Sequence, residues 1–429
     1  MSYLLKKILI GLAWAQIRRY KPMIIGVTGN AGKTSTKETI AAVLRHSKTV
    51  RIAAGNLNNE FGFALTILGD WDQEYYDHGS SMGLWLRVLW AGCRGLIARR
   101  DCAEIFLLEY GADRPGDIKR LAMVFKPHIA VITTVGDTPV HIEFFKNADS
   151  VAAEKANLVK VLTAVDYAIL NHDDDRVLDM KSKTEAHVVT YGFEEGSTIR
   201  ILDFKYLNTD EGKPTGVAFK IHEASKFVSV EIGGSLGKSQ AYAAAAAAAI
   251  GMALGMNLIQ ISEALQQYHG PNGRLKILSG INGSTIIDDT YNASPASTRL
   301  ALETLRDLPG LRKIAVLGDM LELGEHTIPA HQNIGTLAAS CADILVCVGS
   351  RAKFIADSAA NQMSKNNIFT FDVSTGAIKK VRELVEKGDL ILIKGSQGMR
   401  MEKIVEEIMA ESQRKKELLV RQSERWLFK

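Results

Sequence analysis

One junction constrains the fold more than any other feature of the chain. In Met23-Ile24-Ile25-Gly26-Val27-Thr28-Gly29-Asn30-Ala31-Gly32-Lys33-Thr34-Ser35 an apolar run enters a glycine-rich turn and leaves it as a helix-forming segment. Glycines let backbone amides curl round phosphate oxygens, and the start of the following helix adds a favourable dipole. Lys33 is suited to the β- and γ-phosphates of a nucleotide, and the Thr34 hydroxyl to Mg²⁺. The spacing departs from the strict phosphate loop, since Val27 stands at the first glycine position and Gly26 one residue earlier. Gly29, Asn30, Gly32, Lys33, Thr34 and Ser35 are the expected nucleotide contacts. By itself the loop leaves kinases, GTPases, motors and ligases open.

The remaining chain alternates short β runs with longer helices. Ser35–Leu44 carries helical periodicity, while Glu104–Glu109, Ile129–Ile132 and Tyr167–Leu170 are continuously apolar, as in parallel strands covered on both faces. Between Ser197 and Ile232 short alternating segments predict a small antiparallel patch, and Ala243–Ala249 predicts a closely packed helix. After Pro271, β runs at Thr285–Asp288, Lys313–Leu317, Ile344–Val348, Ile368–Phe371 and Leu390–Ile393 predict a second α/β unit. The expected divisions are an amphipathic helix at 1–22, a nucleotide-binding domain at 23–270, a second domain at 271–412 and a charged tail at 413–429. Trp426, Leu427 and Phe428 would dock that tail.

With 429 residues, 46 % hydrophobic and 23 % charged, the chain can build two or three cores and is too apolar for disorder. A formal charge of +4 is too weak and dispersed to indicate nucleic acid. Its four cysteines lack ligand-like spacing and suit a reducing, cytoplasmic compartment. Tyr3–Ala15 resembles a signal peptide without a cleavage site, and arginines interrupt Leu84–Ile97 too often for it to span a bilayer. Packing against the domain is the expected role of both segments. Peripheral contact with a membrane or a partner subunit is the alternative.

Further motifs extend the loop into a pattern. They are Gly55-Asn56-Leu57-Asn58-Asn59-Glu60-Phe61-Gly62, Glu109-Tyr110-Gly111-Ala112, His141-Ile142-Glu143-Phe144-Phe145, Asp288-Asp289-Thr290-Tyr291-Asn292-Ala293-Ser294-Pro295, Leu317-Gly318-Asp319-Met320-Leu321-Glu322-Leu323-Gly324 and Lys394-Gly395-Ser396. From about Lys21 to Ile408 the chain resembles the Mur ligases, which use ATP to add amino acids or peptides to the peptidoglycan stem peptide. The second half is most similar to the D-alanyl-D-alanine-adding branch.

The resemblance implies a central P-loop ATPase-type domain with a mostly parallel sheet, followed by a smaller Rossmann-like α/β domain. It implies ATP, two Mg²⁺ ions and an acyl-phosphate intermediate. Lys33, Glu109, His141 and Lys155 would be catalytic. Thr34, Glu109, His141 and Lys155 would hold metal, with Lys155 carbamylated by CO₂; nearby Lys160 is a competing alignment. Asn171 would read adenine, and Arg274 and Asp289 would meet the nucleotide as the domains close. Asn58, Asn59, Asn292, Lys394 and Ser396 would contact a cell-wall precursor donor and an amino-acid or dipeptide acceptor, in a monomer or weak dimer.

Two departures stand out. Only about 22 residues precede the loop, so the family's N-terminal uridine-nucleotide domain is expected to be absent. Gly237-Lys238-Ser239-Gln240-Ala241-Tyr242-Ala243 also lacks the family's His-Asn pair and later Asn. The alternatives are a Mur-like ligase extending polyglutamate, cyanophycin-like or pseudomurein peptide, a phosphotransferase, or a nucleotide-binding partner without turnover.

Overall fold

The computed structural model describes residues 3–53, 57–97, 102–136, 144–310 and 312–427. The larger sheet contains β1 (Met23–Thr28), β2 (Val50–Ile52), β3 (Ile105–Glu109), β4 (Ile129–Ile132), β5 (Tyr167–Asn171), β6 (His187–Gly192), β7 (Ile199–Asn208), β8 (Pro214–Glu223) and β9 (Lys226–Gly233). Their spatial order is β2-β3-β1-β4-β5-β6-β7-β8-β9. Pairings from β2 through β7 are parallel, and β7-β8-β9 is the antiparallel patch expected near Ser197–Ile232.

The continuous apolar runs have a direct cause. Side chains alternate across a strand, so a central strand feeds two cores. Ile24, Phe106, Leu108, Ala130 and Ile132 enter one core, while Ile25, Val27, Ile105, Leu107, Ile129 and Val131 enter the other. The second core is capped by α2 (Lys33–Leu44) and by the helix Lys238–Ala253, whose alanines let the two helix backbones approach closely.

The first core is covered by a helical layer: α1 (Tyr3–Tyr20), α3 (Glu60–Gly69), α4 (Trp71–His78) and α5 (Met82–Ile97). α3 is buried from Glu60 to Leu68. α1 and α5 lean on it through Leu9 and Ala13 and through Leu84, Trp85 and Val88. Glycines set the α1–α5 approach: a Cβ at Gly92 would meet Leu12 at 3.0 Å, and the Gln16 amide donates to the Gly92 carbonyl at 3.1 Å. Both segments therefore pack against the domain on one face.

The smaller sheet contains β10 (Lys276–Ser279), β11 (Thr285–Asp289), β12 (Lys313–Gly318), β13 (Ile344–Val348), β14 (Ile368–Phe371) and β15 (Leu390–Lys394). The order is β10-β11-β15-β12-β13-β14, with only β10 antiparallel. β12 again alternates between two cores, Ala315 and Leu317 against Ile314 and Val316. The carboxyl ends of β1, β3, β11 and β15 supply the residues of the site below, as expected for open α/β sheets.

Candidate active site

Beyond Thr28 the chain turns through Gly29 and Gly32 into α2, with Gly32 left-handed at the helix start (φ 81°). A Cβ on Gly29 would lie 1.8 Å from Thr133 Oγ1, so only glycine lets the loop pass the end of β4. That contact is used: Thr133 Oγ1 donates to the Ala31 carbonyl at 2.7 Å, and the Asn30 amide donates to the Thr134 carbonyl at 2.6 Å.

Two lysines converge on the loop. Lys33 Nζ donates to the Gly29 carbonyl at 2.9 Å, and Lys155 Nζ, from the end of the helix Ala148–Lys155, donates to the same oxygen at 3.1 Å. Burial lowers the pKa of Lys33 against the pull of Glu109. Burial, reinforced by the Lys33 cation, brings Lys155 down to about 7, so much of it is neutral near neutral pH. Lys160, the competing alignment, is exposed.

Glu109 closes the other side of the loop. Thr34 Oγ1 donates to Glu109 Oε2 at 3.3 Å and accepts from Arg274 Nη2 at 3.2 Å. Arg274 reaches over from the junction between the sheets and stacks 4.0 Å above the Tyr291 ring. Gly111 admits the neighbouring Asn58, whose Nδ2 would be 2.1 Å from a Cβ there.

The smaller sheet supplies the opposite wall. Lys394 Nζ pairs with Asp289 Oδ2 at 2.6 Å and donates to the Asn292 carbonyl at 2.9 Å. Burial lowers the Lys394 pKa despite the Asp289 charge. Asp289 Oδ1 accepts the Leu275 amide at 3.3 Å, tying this pair to the Arg274 segment. Ser396 Oγ accepts the Leu321 amide at 2.9 Å and donates to the Ala293 carbonyl at 3.2 Å. Between the walls lies a cleft of about 580 Å³, lined by Gly29 to Thr34, Asn58, Glu109, Lys155, Arg274, Asn292 and Ser396.

Several expected residues sit elsewhere. Asp289 and Lys394 are buried against each other behind the cleft wall. Asn59 caps α3 by accepting the Gly62 amide at 3.0 Å, and Ser35 is buried in α2. Asn171, at the end of β5, is not among the residues lining the cleft and accepts the Asp173 amide at 3.1 Å. His141 lies outside the described residues. Conversely, Asp113, Gln397 and Trp426 line the cleft without having been singled out for it. Trp426 is held by Arg400, which donates to its carbonyl at 2.9 Å. Of the expected tail residues Trp426 docks, into the cleft; Phe428 lies outside the described residues.

Comparison with known proteins places this geometry. The Mur ligase middle-domain model matches residues 96–251, and the Mur ligase glutamate ligase domain model matches residues 273–397. The chain belongs to the Mur ligase family. It is 29 % identical to the UDP-N-acetylmuramoyl-tripeptide–D-alanyl-D-alanine ligase of Bacillus subtilis over 93 % of this chain and 78 % of that one. The enzyme of that name from Rickettsia prowazekii is 28 % identical over 90 % and 78 %. The crystal structure of the MurF ligase from Thermotoga maritima in complex with ADP superposes with a TM-score of 0.75 at 26 % identity, covering 94 % of this chain and 83 % of that one. The hydroxyl of Thr34 and the carboxylate of Glu109, adjacent at 3.3 Å, are hard oxygen atoms of the kind that suits Mg²⁺. Lys155, an amine, matches them only once converted to an oxygen ligand.

Proposed function

We propose that this chain is an ATP-dependent ligase joining a carboxylate of a cell-wall precursor peptide to the amine of D-alanyl-D-alanine. The observation that carries the reading is the cleft between the two sheets. One wall holds the Gly29–Thr34 loop, Glu109 and Lys155, and the other holds Asn292 and Ser396. A simple phosphotransferase has no use for the second wall, and the relatives named above bear D-alanyl-D-alanine ligase names.

In this reading the larger domain is of the P-loop type, and its loop amides and Lys33 hold the β- and γ-phosphates of ATP. A donor carboxylate oxygen attacks the γ-phosphorus, the bridging P–O bond breaks, and ADP leaves with an acyl phosphate formed. Arg274 and Lys33 face the charge that develops on the transferring group. The acceptor amine, unprotonated, then attacks the acyl carbon, forming the C–N bond. The acyl C–O bond breaks, phosphate leaves, and the extra amine proton passes to phosphate or water. Asn292 and Ser396 orient the acceptor, whereas the Lys394–Asp289 pair braces the segment that carries Asn292. Asn171 stays the candidate for the adenine edge.

Thr34, Glu109, His141 and carbamylated Lys155 would hold Mg²⁺, which supplies positive charge to the phosphates. Lys155 suits carbamylation because a neutral amine is the form that adds CO₂, releasing a proton and leaving an anionic carbamate. The experiment is a coupled assay: ADP and phosphate should accumulate over many turnovers only when donor peptide and D-alanyl-D-alanine are both present, with the amide found by mass. A stable phosphorylated product would replace this reading with a phosphotransferase.

A further inference from the structure

The faces of α1 and α5 turned away from their packing against α3 are unusual for a protein surface. On α5, Met82, Leu86, Trp90 and Ile97 follow one another at helical spacing and are 61–82 % exposed. On α1, Tyr3 and Leu4 are 74 % and 67 % exposed, and Ile8 and Trp14 follow on the same outward side. Singly exposed apolar residues are ordinary, but two apolar stripes on neighbouring helices form a patch that calls for a partner.

The charges beside the stripes say which partner. α1 and α5 contain Lys6, Lys7, Arg18, Arg19, Arg87 and Arg94, and neither contains an Asp or Glu. Lys6 and Arg87 are paired with Glu60 and Glu74. The others lie over aromatic rings: Lys7 over Tyr3, Arg18 over Trp14 at 3.6 Å, Arg19 over Tyr20 and Arg94 over Trp90 at 5.1 Å. The patch is thus apolar with a basic margin, in a chain whose charges nearly balance overall. Tryptophan beside arginine, at the edge of leucine and isoleucine, matches the apolar-to-headgroup boundary of a bilayer carrying anionic lipid. No helix among the described residues is long and apolar enough to cross a membrane, so the helices would lie on the surface.

We infer that the outer face of α1 and α5 is a peripheral docking surface for anionic lipid bilayers. The inference does not rest on the ligase reading. It has a geometric consequence: α3 begins at Glu60, two residues after cleft-lining Asn58, so the docked layer would adjoin the cleft.

Flotation of the full chain with phosphatidylcholine vesicles, with and without phosphatidylglycerol, tests this directly. The protein should float with phosphatidylglycerol-containing vesicles and less with phosphatidylcholine alone. Neutralising Arg18, Arg19 or Arg94 to Gln should weaken binding by about fivefold each, and added salt should weaken it in the parent. The double variant Leu86→Glu/Trp90→Glu should lose flotation while melting like the parent. Leu4→Glu/Ile8→Glu gives an independent check if the first variant folds poorly. No flotation by the parent, or undiminished flotation by both double variants, would overturn the inference. So would a concentration-dependent dimer that these variants abolish in a protein that ignores vesicles, since a second copy would then cover the face.

Discussion

Replacing Lys155 by Met exposes how much the site costs the fold. Lys155 ends the helix Ala148–Lys155 and is buried beside Lys33. Its pKa falls from the ordinary 10.5 to about 7, through burial first and the Lys33 cation second. Below about pH 7 the folded and unfolded chains both carry the proton, and the folded state bears the full penalty. As pH rises from 7 toward 10.5 the folded chain has released a proton that the unfolded chain keeps, so stability climbs. At about 1.4 kcal/mol per pH unit, the climb is up to roughly 5 kcal/mol. Met keeps the length of the side chain and removes the charge. The Gly29 carbonyl left behind still accepts from Lys33 at 2.9 Å, so the loss of that hydrogen bond offsets little. Urea unfolding in metal-free, CO₂-free buffer should therefore show Lys155→Met more stable than the parent near about pH 6, with the gap closing by about pH 10. Added bicarbonate should stabilise the parent alone, because a carbamate would face Lys33. Parallel stability profiles for parent and variant across this range would refute the reasoning.

Other perturbations separate chemistry from folding. Lys33→Ala should lower turnover by about a hundredfold or more while leaving the melting temperature within a few degrees, as read by phosphate release and thermal scans. Glu109→Gln and Thr34→Ala should shift the Mg²⁺ dependence of turnover to higher concentration; unchanged titrations would return both residues to a structural role. Lys394→Met leaves Asp289 buried without its cation and should cost about 3–5 kcal/mol in denaturant unfolding, with Lys394→Met/Asp289→Asn recovering much of it. Gly29→Ala drives a methyl into Thr133 and should abolish nucleotide binding measured by calorimetry, although the sheet around it stays folded.

The sheet strands most legible in the sequence are those buried on both faces. Phe106 to Leu108 and Val131 to Ile132 feed two cores at once, which is why consecutive apolar side chains are buried there. Two of the strands left no such trace. β6 begins with exposed His187 and ends in glycine, and β10 is a four-residue strand only partly buried. Between α4 and α5 the chain turns at Gly79, whose φ is 78°.

The glycine-rich turn into α2 was legible because its glycines, lysine and threonine are adjacent in the chain. Pairing at a distance was not: Lys394 and Asp289 were expected to meet separate ligands and instead meet each other across adjacent strands β11 and β15. Nor does residue type separate Asn58, which lines the cleft, from Asn59, which caps a helix one residue later. Trp426 was expected to dock the tail, yet the arginines that steer it into the cleft, Arg400 and Arg421, become its neighbours only in three dimensions.

The central claim is that ATP activates the donor carboxylate as an acyl phosphate before the amine attacks. A donor peptide carrying ¹⁸O in its reacting carboxylate, incubated with ATP, Mg²⁺ and D-alanyl-D-alanine, tests it most directly. One carboxylate oxygen must leave with the phosphate, so mass analysis should find ¹⁸O in the released phosphate and the remaining label in the amide carbonyl. Amide formed alongside unlabelled phosphate would contradict the account, as would labelled donor recovered intact while ATP is consumed.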